Sequence, residues 1–248
     1  MNIKKNDICE FMEVRKKNVS NLGADLGLNS LTNQWFIAAS AYQYSYNFDW
    51  LGLPIIQFPQ DMVAIQEIIW RTKPDVIIET GVARGGSLIL SASILHLLNG
   101  KGKVIGVDID IRPHNREAIE SHPLAFRIEL VQGSSISPEI IEQVKKHINP
   151  GDKVMVILDS NHTHDHVLQE LELYSPLVTK DCYLIVMDTV VEDMPDNYYP
   201  DRPWGPGDNP KTAVHAFLKK TNRFEIDKSI QHKLLITVAP DGYLKCIK

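Results

Sequence analysis

A glycine-rich turn spans Glu79–Ser87, with the sequence ETGVARGGS. It follows a short apolar run, Val76–Ile78, of the kind that forms a strand buried in a parallel sheet. An apolar helix pattern, Leu88–Leu98, comes next, and Asn99-Gly100 ends it. Glycines let the backbone approach a ligand closely, and the first turn of a helix offers free N–H groups. The sequence therefore predicts a strand–turn–helix unit that binds a ligand at its turn.

Apolar runs and helix patterns alternate further along the chain. Further buried strands are predicted at Val104–Val107, Ile128–Val131, Val154–Leu158 and Tyr183–Val186. Helices are predicted between an Asp61 cap and Lys73-Pro74, after Ser137-Pro138, and over Val167–Leu177. Such alternation indicates an α/β fold with a mostly parallel sheet wound on both faces.

The C-terminus departs from this alternation. Leu234–Val238 and Tyr243–Ile247 flank the turn residues Ala239–Gly242, which predicts an antiparallel hairpin. Parallel strands followed by a hairpin are the order of the Rossmann-like class I methyltransferase sheet, rather than of a six-stranded dinucleotide fold.

An acidic residue at the next strand end narrows the choice of ligand. Asp108 follows Val104–Val107, where its carboxylate can accept hydrogen bonds from both hydroxyls of a ribose. The glycine spacing is G-x-x-x-G-G, whereas dinucleotide sites have G-x-G-x-x-G. Glu79, two places before the first glycine, would repel a pyrophosphate and attract an ammonium. These features favour S-adenosylmethionine over NAD.

A second polar site follows the Val154–Leu158 strand. Asp159 lies at its end and His162 three residues later, on the sheet edge where ligands bind. A carboxylate there can bind a hard divalent cation, and an imidazole can accept a hydroxyl proton. Zinc held by His162 and His166 on one helix face is a weaker alternative, because no cysteine is near. For His164 and His166 we expect solvated or helix-capping positions, and an iron oxygenase spacing H-x-[DE] is absent.

Several segments together carry a family resemblance. In chain order they are Trp50-Leu51-Gly52 with Pro54, Pro59-Gln60-Asp61, Lys73-Pro74-Asp75, Glu79-Thr80-Gly81 with Gly85-Gly86-Ser87, Leu158–His162, His166-Val167-Leu168 with Glu170-Leu171, Tyr183–Val186 and Gly242–Lys245. From about Trp50 to the C-terminus the chain resembles the cephalosporin hydroxylase family. Despite its name, that family is similar to S-adenosylmethionine-dependent class I methyltransferases and is related to rhamnosyl and macrolide-sugar O-methyltransferases.

The resemblance implies roles for individual residues. The cofactor would be held by Glu79, Gly81, Gly85, Ser87 and Asp108, with Ser134 and Ser135 near its adenine. The related enzymes bind a metal, Mg²⁺, through an acid at the Asp159 position and an acidic pair after the fifth strand, with a base at the position of His162.

This sequence departs from the family pattern at the acidic pair. The pair reads Met187-Asp188, so Asp159 and Asp188 remain as metal ligands. We expect Glu192, Asp193 or water to supply the missing ligand.

A long irregular segment, Asn197–Pro210, follows the expected metal site. Long loops in compact domains are often functional, and aromatic faces beside charged groups suit a sugar. Tyr199, Arg202 and Trp204 are the expected acceptor-binding residues. A surface loop packed against a neighbouring subunit is the open alternative.

The composition limits the classes of protein to which the chain can belong. The chain has 248 residues, a net charge of −5 and 44% hydrophobic residues, which indicates a globular α/β protein without a membrane span or a main nucleic-acid partner. We expect an N-terminal extension over residues 1–49, with a helix near Ile8–Lys17 and an aromatic cluster from Trp35 onward, and a methyltransferase domain over 50–248. Three widely spaced cysteines favour the cytoplasm.

The leading hypothesis is an S-adenosylmethionine-dependent O-methyltransferase that acts on a sugar-like small molecule and forms a homo-oligomer. Two alternatives stay open: an NAD-linked oxidoreductase, and a non-catalytic S-adenosylmethionine-binding subunit, which Met187 favours.

Overall fold

A computed structural model describes the backbone of residues 2–248 and the side chains from Asp7 onward. The helices are α1 (Asn2–Ala24), α2 (Leu26–Ser40), α3 (Pro59–Thr72), α4 (Gly86–Leu97), α5 (Pro113–Glu120), α6 (Pro138–Lys145), α7 (His164–Tyr174), α8 (Pro210–Leu218) and α9 (Lys228–Leu234). The strands are β1 (Phe48–Trp50), β2 (Leu53–Ile55), β3 (Val76–Thr80), β4 (Lys103–Asp108), β5 (Ile128–Gln132), β6 (Val154–Leu158), β7 (Tyr183–Val186), β8 (Phe224–Ile226) and β9 (Tyr243–Cys246).

One mostly parallel sheet forms the centre of the protein. Its strand order is β5-β4-β3-β6-β7-β9-β8, and the strands from β5 to β7 are parallel. β3, β6 and β7 are buried along their whole length because helices cover both faces of the sheet. The predicted doubly wound α/β fold and its five parallel strands are confirmed.

The antiparallel pair at the C-terminus is also confirmed, but its first strand lies earlier in the chain than expected. β9 pairs with β7 and with Phe224–Ile226, which forms β8. The predicted strand Leu234–Val238 is wrong: Leu234 ends α9, and Leu235 has a φ of +60° that interrupts an extended chain.

The residues after α9 bond to a helix instead of a strand. Asp61 was expected to cap α3, but α3 begins at Pro59 and Asp61 lies buried inside its first turn. Its carboxyl accepts hydrogen bonds from the Val238 N–H (2.9 Å), from the Tyr243 hydroxyl (2.7 Å) and from the Thr237 hydroxyl. Burial raises the pKa of Asp61 to about 6, against the lowering effect of these donors. The carboxyl thus joins α3 to the C-terminal loop.

The N-terminal extension is more helical than expected. α1 continues well past the predicted helix near Ile8–Lys17, and a second helix, α2, begins at Leu26. Asp25 separates the two helices and caps α2 by accepting from the Leu28 N–H at 2.9 Å. The aromatic cluster from Trp35 onward contributes to packing: Phe36 stacks on Phe58 with ring centroids 4.9 Å apart.

All parallel strands end on one edge of the sheet. β3 ends beside β6 there, with Thr80 opposite Leu158, and β4 ends at Asp108. Ligands bind at this edge in open α/β sheets. Among the described residues, none of the helices has the length and apolar character to cross a bilayer.

Candidate active site

The glycine turn connects β3 to α4 as predicted. Gly81 and Gly85 have φ values of +91° and +86°, which side-chain-bearing residues rarely adopt. A Cβ atom built on Gly81 would lie 2.1 Å from the carbonyl oxygen of Asp159. The turn therefore packs directly against the end of β6, so the two predicted polar sites are neighbours.

Asp108 holds the turn from the neighbouring strand. Its Oδ2 accepts from the Val82 N–H at 2.8 Å, and its Oδ1 accepts from the Asp110 N–H at 3.0 Å. Each carboxylate oxygen can accept further bonds, so the side chain keeps acceptor capacity for ligand hydroxyls.

A cavity of about 150 Å³ lies against Asp108. Ser134 and Ser135, from the loop after β5, line it together with Ser160 and His166. A smaller cavity, lined by Gly85, Ser87 and Asp159 among others, adjoins the glycine turn. The structure thus brings most of the predicted cofactor residues together around two cavities that share Gly81 in their linings. We call the first space the nucleoside cavity, because Asp108 at its edge is the predicted ribose acceptor.

Glu79 is buried beside the turn without a partner. Its exposed fraction is 1%, and neither carboxyl oxygen has a hydrogen-bond partner among the described residues. Burial raises its pKa to about 7, and the nearby Ser87 hydroxyl, which does not meet hydrogen-bond geometry, opposes the shift only in part. A buried carboxyl without a partner is costly, and a cation relieves that cost. The ammonium of an amino-acid ligand is a cation of suitable size.

Asp159, His162 and Asp188 form a compact cluster at the ends of β6 and β7. One donor atom from each lies within 4.8 Å of the other two, and His162 Nε2 is 3.5 Å from Asp188 Oδ2. Burial, then Asp188 and Glu79, raises the pKa of Asp159 well above its usual range. Because like charges crowd here, a bound divalent cation would stabilise the ionised carboxylates. The donor set therefore fits a cation.

Neither expected substitute for the missing acid belongs to this cluster. Met187 is buried in the hydrophobic core. Glu192 accepts from the Gly207 N–H at 2.8 Å and from the Asn209 amide, and Asp193 pairs with Lys211 at 2.6 Å. The expectation that Glu192 or Asp193 replaces the missing ligand is wrong, because both carboxylates hold the neighbouring loop and helix instead.

The histidines of the run separate into different surroundings. The His164 ring lies 2.7 Å from the Thr212 hydroxyl, and His166 Nε2 lies 3.1 Å from the Ser135 hydroxyl. His162 faces Asp188, so the structure does not join His162 and His166 in a zinc site.

The prediction of a solvated or helix-capping position is wrong for His166. Its imidazole belongs to a polar network with the buried Glu170. The sequence carried a signal for this: Glu170 is an acidic residue among the apolar positions of a helix, four places after a histidine.

The irregular segment Asn197–Pro210, which we call the lid, reaches the cluster. Trp204 packs edge-on against His162 with ring centroids 4.8 Å apart, and the Arg202 guanidinium lies 5.2 Å from the Trp204 ring. Burial, with Asp188 next in effect, raises the pKa of Tyr199, so its phenol lies near the acidic cluster. Trp204 and Tyr199 thus lie near the Asp159–His162–Asp188 cluster, and Arg202 lies beside Trp204. Glu192 and Asn209 hold the base of the segment.

Comparison with known proteins agrees with this arrangement. The family model for rhamnosyl O-methyltransferase/CmcI matches residues 42–247. Proteins named rhamnosyl O-methyltransferase from Mycobacterium tuberculosis (strain ATCC 25618 / H37Rv) and Mycobacterium leprae (strain TN) are 34% and 33% identical. The alignments cover 79% of this chain in both cases, and 76% and 81% of the two relatives.

Solved structures show the same fold at lower identity. A CmcI structure with Mg and SAM has a TM-score of 0.57 at 19% identity and covers 82% of this chain and 78% of its own. The O-methyltransferase from Bacillus cereus in complex with SAH has a TM-score of 0.53 at 15% identity, with coverages of 88% and 90%. The extent of the family match and the identity to the mycobacterial proteins show that this chain belongs to the rhamnosyl O-methyltransferase/CmcI family.

Proposed function

We propose that the protein is an S-adenosylmethionine-dependent O-methyltransferase that methylates a hydroxyl of a sugar or a glycosylated natural product. One observation carries the proposal: the nucleoside cavity and the Asp159–His162–Asp188 cluster meet at the glycine turn, where Gly81 packs on Asp159. A methyl donor and a hydroxyl acceptor bound in these two places would be adjacent. Membership of the family supports the reaction class.

The cofactor half of the cleft suits S-adenosylmethionine. Asp108 would accept hydrogen bonds from the ribose hydroxyls, Ser134 and Ser135 would lie along the base, and Glu79 would pair with the ammonium. A sulfonium bound in this way would supply the methyl group. A pyrophosphate would instead bring negative charge beside the buried, unpartnered Glu79, which disfavours NAD.

The cluster at the ends of β6 and β7 activates the acceptor. Asp159 and Asp188 would hold a divalent cation, Mg²⁺ by analogy with the CmcI structure. A cation held there would lower the pKa of a nearby hydroxyl. His162 accepts the hydroxyl proton, and Asp188 beside Nε2 stabilises the imidazolium that forms. Trp204 packs against the imidazole and fixes its orientation.

The acceptor binds between the cluster and the lid. Trp204 and Tyr199 offer aromatic faces, and Arg202 offers donors for the oxygens of a polyhydroxylated ring. The relatives named rhamnosyl O-methyltransferase support a sugar as the acceptor class. Three further proposals concern the whole protein. Residues 1–49 form an extension to the catalytic domain, the protein assembles into a homo-oligomer, and it works in the cytoplasm. Four apolar residues exposed on α1, namely Ile8, Phe11, Met12 and Val14, support association.

Two measurements test the proposal. Calorimetry should show S-adenosylmethionine binding in the micromolar range, about −8 kcal/mol, and no comparable NAD binding. Transfer of a labelled methyl group to a panel of rhamnosides and other glycosides should then occur in the presence of Mg²⁺. NAD binding without S-adenosylmethionine binding would overturn the cofactor assignment. Cofactor binding without transfer to any hydroxylated acceptor would favour the non-catalytic subunit, which the loss of an acid at Met187 makes the second candidate.

A further inference from the structure

A buried polar network lies behind the nucleoside cavity and has no part in the proposed methyl transfer. His166, on α7, lines the cavity, with its side chain 20% exposed. Its Nε2 lies 3.1 Å from the Ser135 hydroxyl and 3.2 Å from the Ser160 hydroxyl. Glu170, one helical turn further on, is fully buried, and its Oε1 lies 3.7 Å from the same nitrogen. The network thus ends at the surface that a bound nucleoside would touch.

The hydrogen bonds of this network fix the tautomer of His166. The Ser160 hydroxyl donates its single hydrogen to Glu170 Oε1 at 2.7 Å. Its oxygen can therefore only accept at His166, so the hydrogen in that contact belongs to Nε2. In a neutral imidazole the other nitrogen, Nδ1, is then an acceptor without a hydrogen. Nδ1 makes no hydrogen bond to any described residue and is not among the buried unpartnered atoms. It is therefore available to a ligand.

The other polar side chains of the cavity do not impose this polarity. The Ser134 and Ser135 hydroxyls and the Asn161 amide can each donate or accept, so they fit either kind of group on a base. The Ser160 hydroxyl is used within the network, since its hydrogen goes to Glu170 and its oxygen faces Nε2. Asp108 accepts only, but the proposed function gives it to the ribose. His166 is thus the side chain left to distinguish a donor from an acceptor on the base.

We infer that His166 selects adenine by accepting a hydrogen bond from its exocyclic amino group through Nδ1, and that Glu170, acting through Ser160, is a positioning residue that holds the required tautomer. The inference rests on the proposed function, since it needs an S-adenosyl ligand in the cavity. Hypoxanthine has a carbonyl oxygen where adenine has the amino group, so it places an acceptor against an acceptor. A site built to bind one group rejects the other because a buried polar atom is left unpaired.

The test compares S-adenosylhomocysteine with S-inosylhomocysteine by calorimetry at pH 8, where an ordinary imidazole is neutral. Wild type should prefer the adenosyl compound by about tenfold or more, the value of one hydrogen bond plus the cost of a mismatch. His166→Ala should lower that ratio to near one. Glu170→Gln should also lower it, because an amide can donate to Ser160 and free the serine hydrogen for Nε2, which moves the ring hydrogen to Nδ1.

The ratio is the decisive measurement because a merely structural defect would weaken both compounds equally. His164→Ala is the matched control: it lies on the same helix, faces Thr212, and should keep the wild-type ratio. Circular dichroism checks that each variant folds. If Glu170→Gln does not fold, the result for His166→Ala alone decides the role of His166. An unchanged ratio in His166→Ala overturns the inference and leaves the proposed function in place. Wild type that binds neither compound overturns the proposed function, and the inference with it.

Discussion

The cofactor half and the acceptor half of the cleft are built from different kinds of segment. The cofactor half centres on one strand, its glycine turn and Asp108 at the end of the next strand, and later segments add Ser134, Ser135 and His166. The acceptor half joins the ends of β6 and β7 with Trp204 from the lid. A departure such as Met187, directly after β7, therefore bears on the acceptor half and leaves the lining of the cofactor half unchanged.

Removal of Asp159 should have the largest effect and should separate the two halves. Asp159→Ala should abolish measurable transfer, a loss of about 10³-fold or more, since the carboxylate that holds the cation is gone. S-adenosylmethionine should still bind, and EDTA, which should inhibit wild type, should have nothing further to inhibit. Asp193→Ala is the control: its partner is Lys211, so activity should persist. If EDTA leaves the wild-type rate unchanged, no cation is required.

The proton step should be the next most sensitive. His162→Ala should lower kcat by about 10²–10⁴-fold, the usual contribution of a general base, while cofactor affinity stays close to wild type. Rapid-quench assays of methyl transfer and calorimetry with S-adenosylmethionine measure the two quantities. His164→Ala again serves as the control. Loss of cofactor binding in His162→Ala would mean that the two halves are not separable at this residue.

The position that departs from the family can be tested by restoring the acid. Met187→Glu places a carboxyl in the core beside Asp188, which should destabilise the fold by about 3–5 kcal/mol in EDTA. Mg²⁺ should raise the melting temperature of this variant more than that of wild type, because the new carboxylate completes the oxygen donor set. Met194→Glu buries a carboxyl in the same part of the chain and should gain nothing from Mg²⁺. Equal responses of the two variants would show that position 187 does not reach the cation.

The elements around the glycine turn could be predicted from the sequence because their signals are local. The glycine turn, the strand before it and Asp108 each follow from residues that are near in the chain, and packing against β6 only had to bring them together. The predicted position of His166 is wrong because its partners, Ser135 and Ser160, come from separate loops. Only the fold shows that their hydroxyls contact the imidazole.

Long-range contacts also explain the errors elsewhere. Leu234–Val238 is an apolar run like a strand, but its backbone pairs with no strand of the sheet. The Leu235 N–H bonds to the Gln231 carbonyl, and the Val238 N–H bonds to the carboxyl of Asp61, far away in sequence. Glu192 and Asp193 are close to Asp188 in the chain. Their carboxylates nevertheless bond to Asn209 and Lys211 and do not belong to the cluster. Proximity in sequence identified candidate ligands but could not decide which partner each carboxylate would take.

Within the cofactor half, pH should reveal the role of Glu79. Its pKa is raised to about 7 by burial, so the carboxyl is neutral below that pH and charged above it. S-adenosylmethionine affinity should therefore fall as the pH drops below about 7, by at most about tenfold per pH unit, because the neutral carboxyl no longer attracts the ammonium. The stability of the ligand-free protein depends on pH in the opposite direction. Because the raised pKa means that the folded state favours the protonated carboxyl, stability is lost as the pH rises through about 7. Glu79→Gln should bind weakly at pH 8 and show no such pH dependence; a wild-type affinity that is flat from pH 7 to pH 6 would contradict this.

The smallest expected effect concerns the lid and tests whether the two halves bind their ligands independently. Trp204→Ala removes an aromatic face from the acceptor side, which should raise the acceptor KM by about threefold to tenfold, the value of one aromatic contact. The affinity for S-adenosylmethionine should not change, since Trp204 does not line the nucleoside cavity. Because Trp204 also fixes the orientation of His162, kcat should fall modestly. Trp70→Ala, on the exposed face of α3, removes an indole of the same size away from the cleft and should alter neither constant. Equal losses of acceptor and cofactor affinity in Trp204→Ala would mean that the lid closes over both ligands. The two halves of the cleft would then not bind their ligands independently.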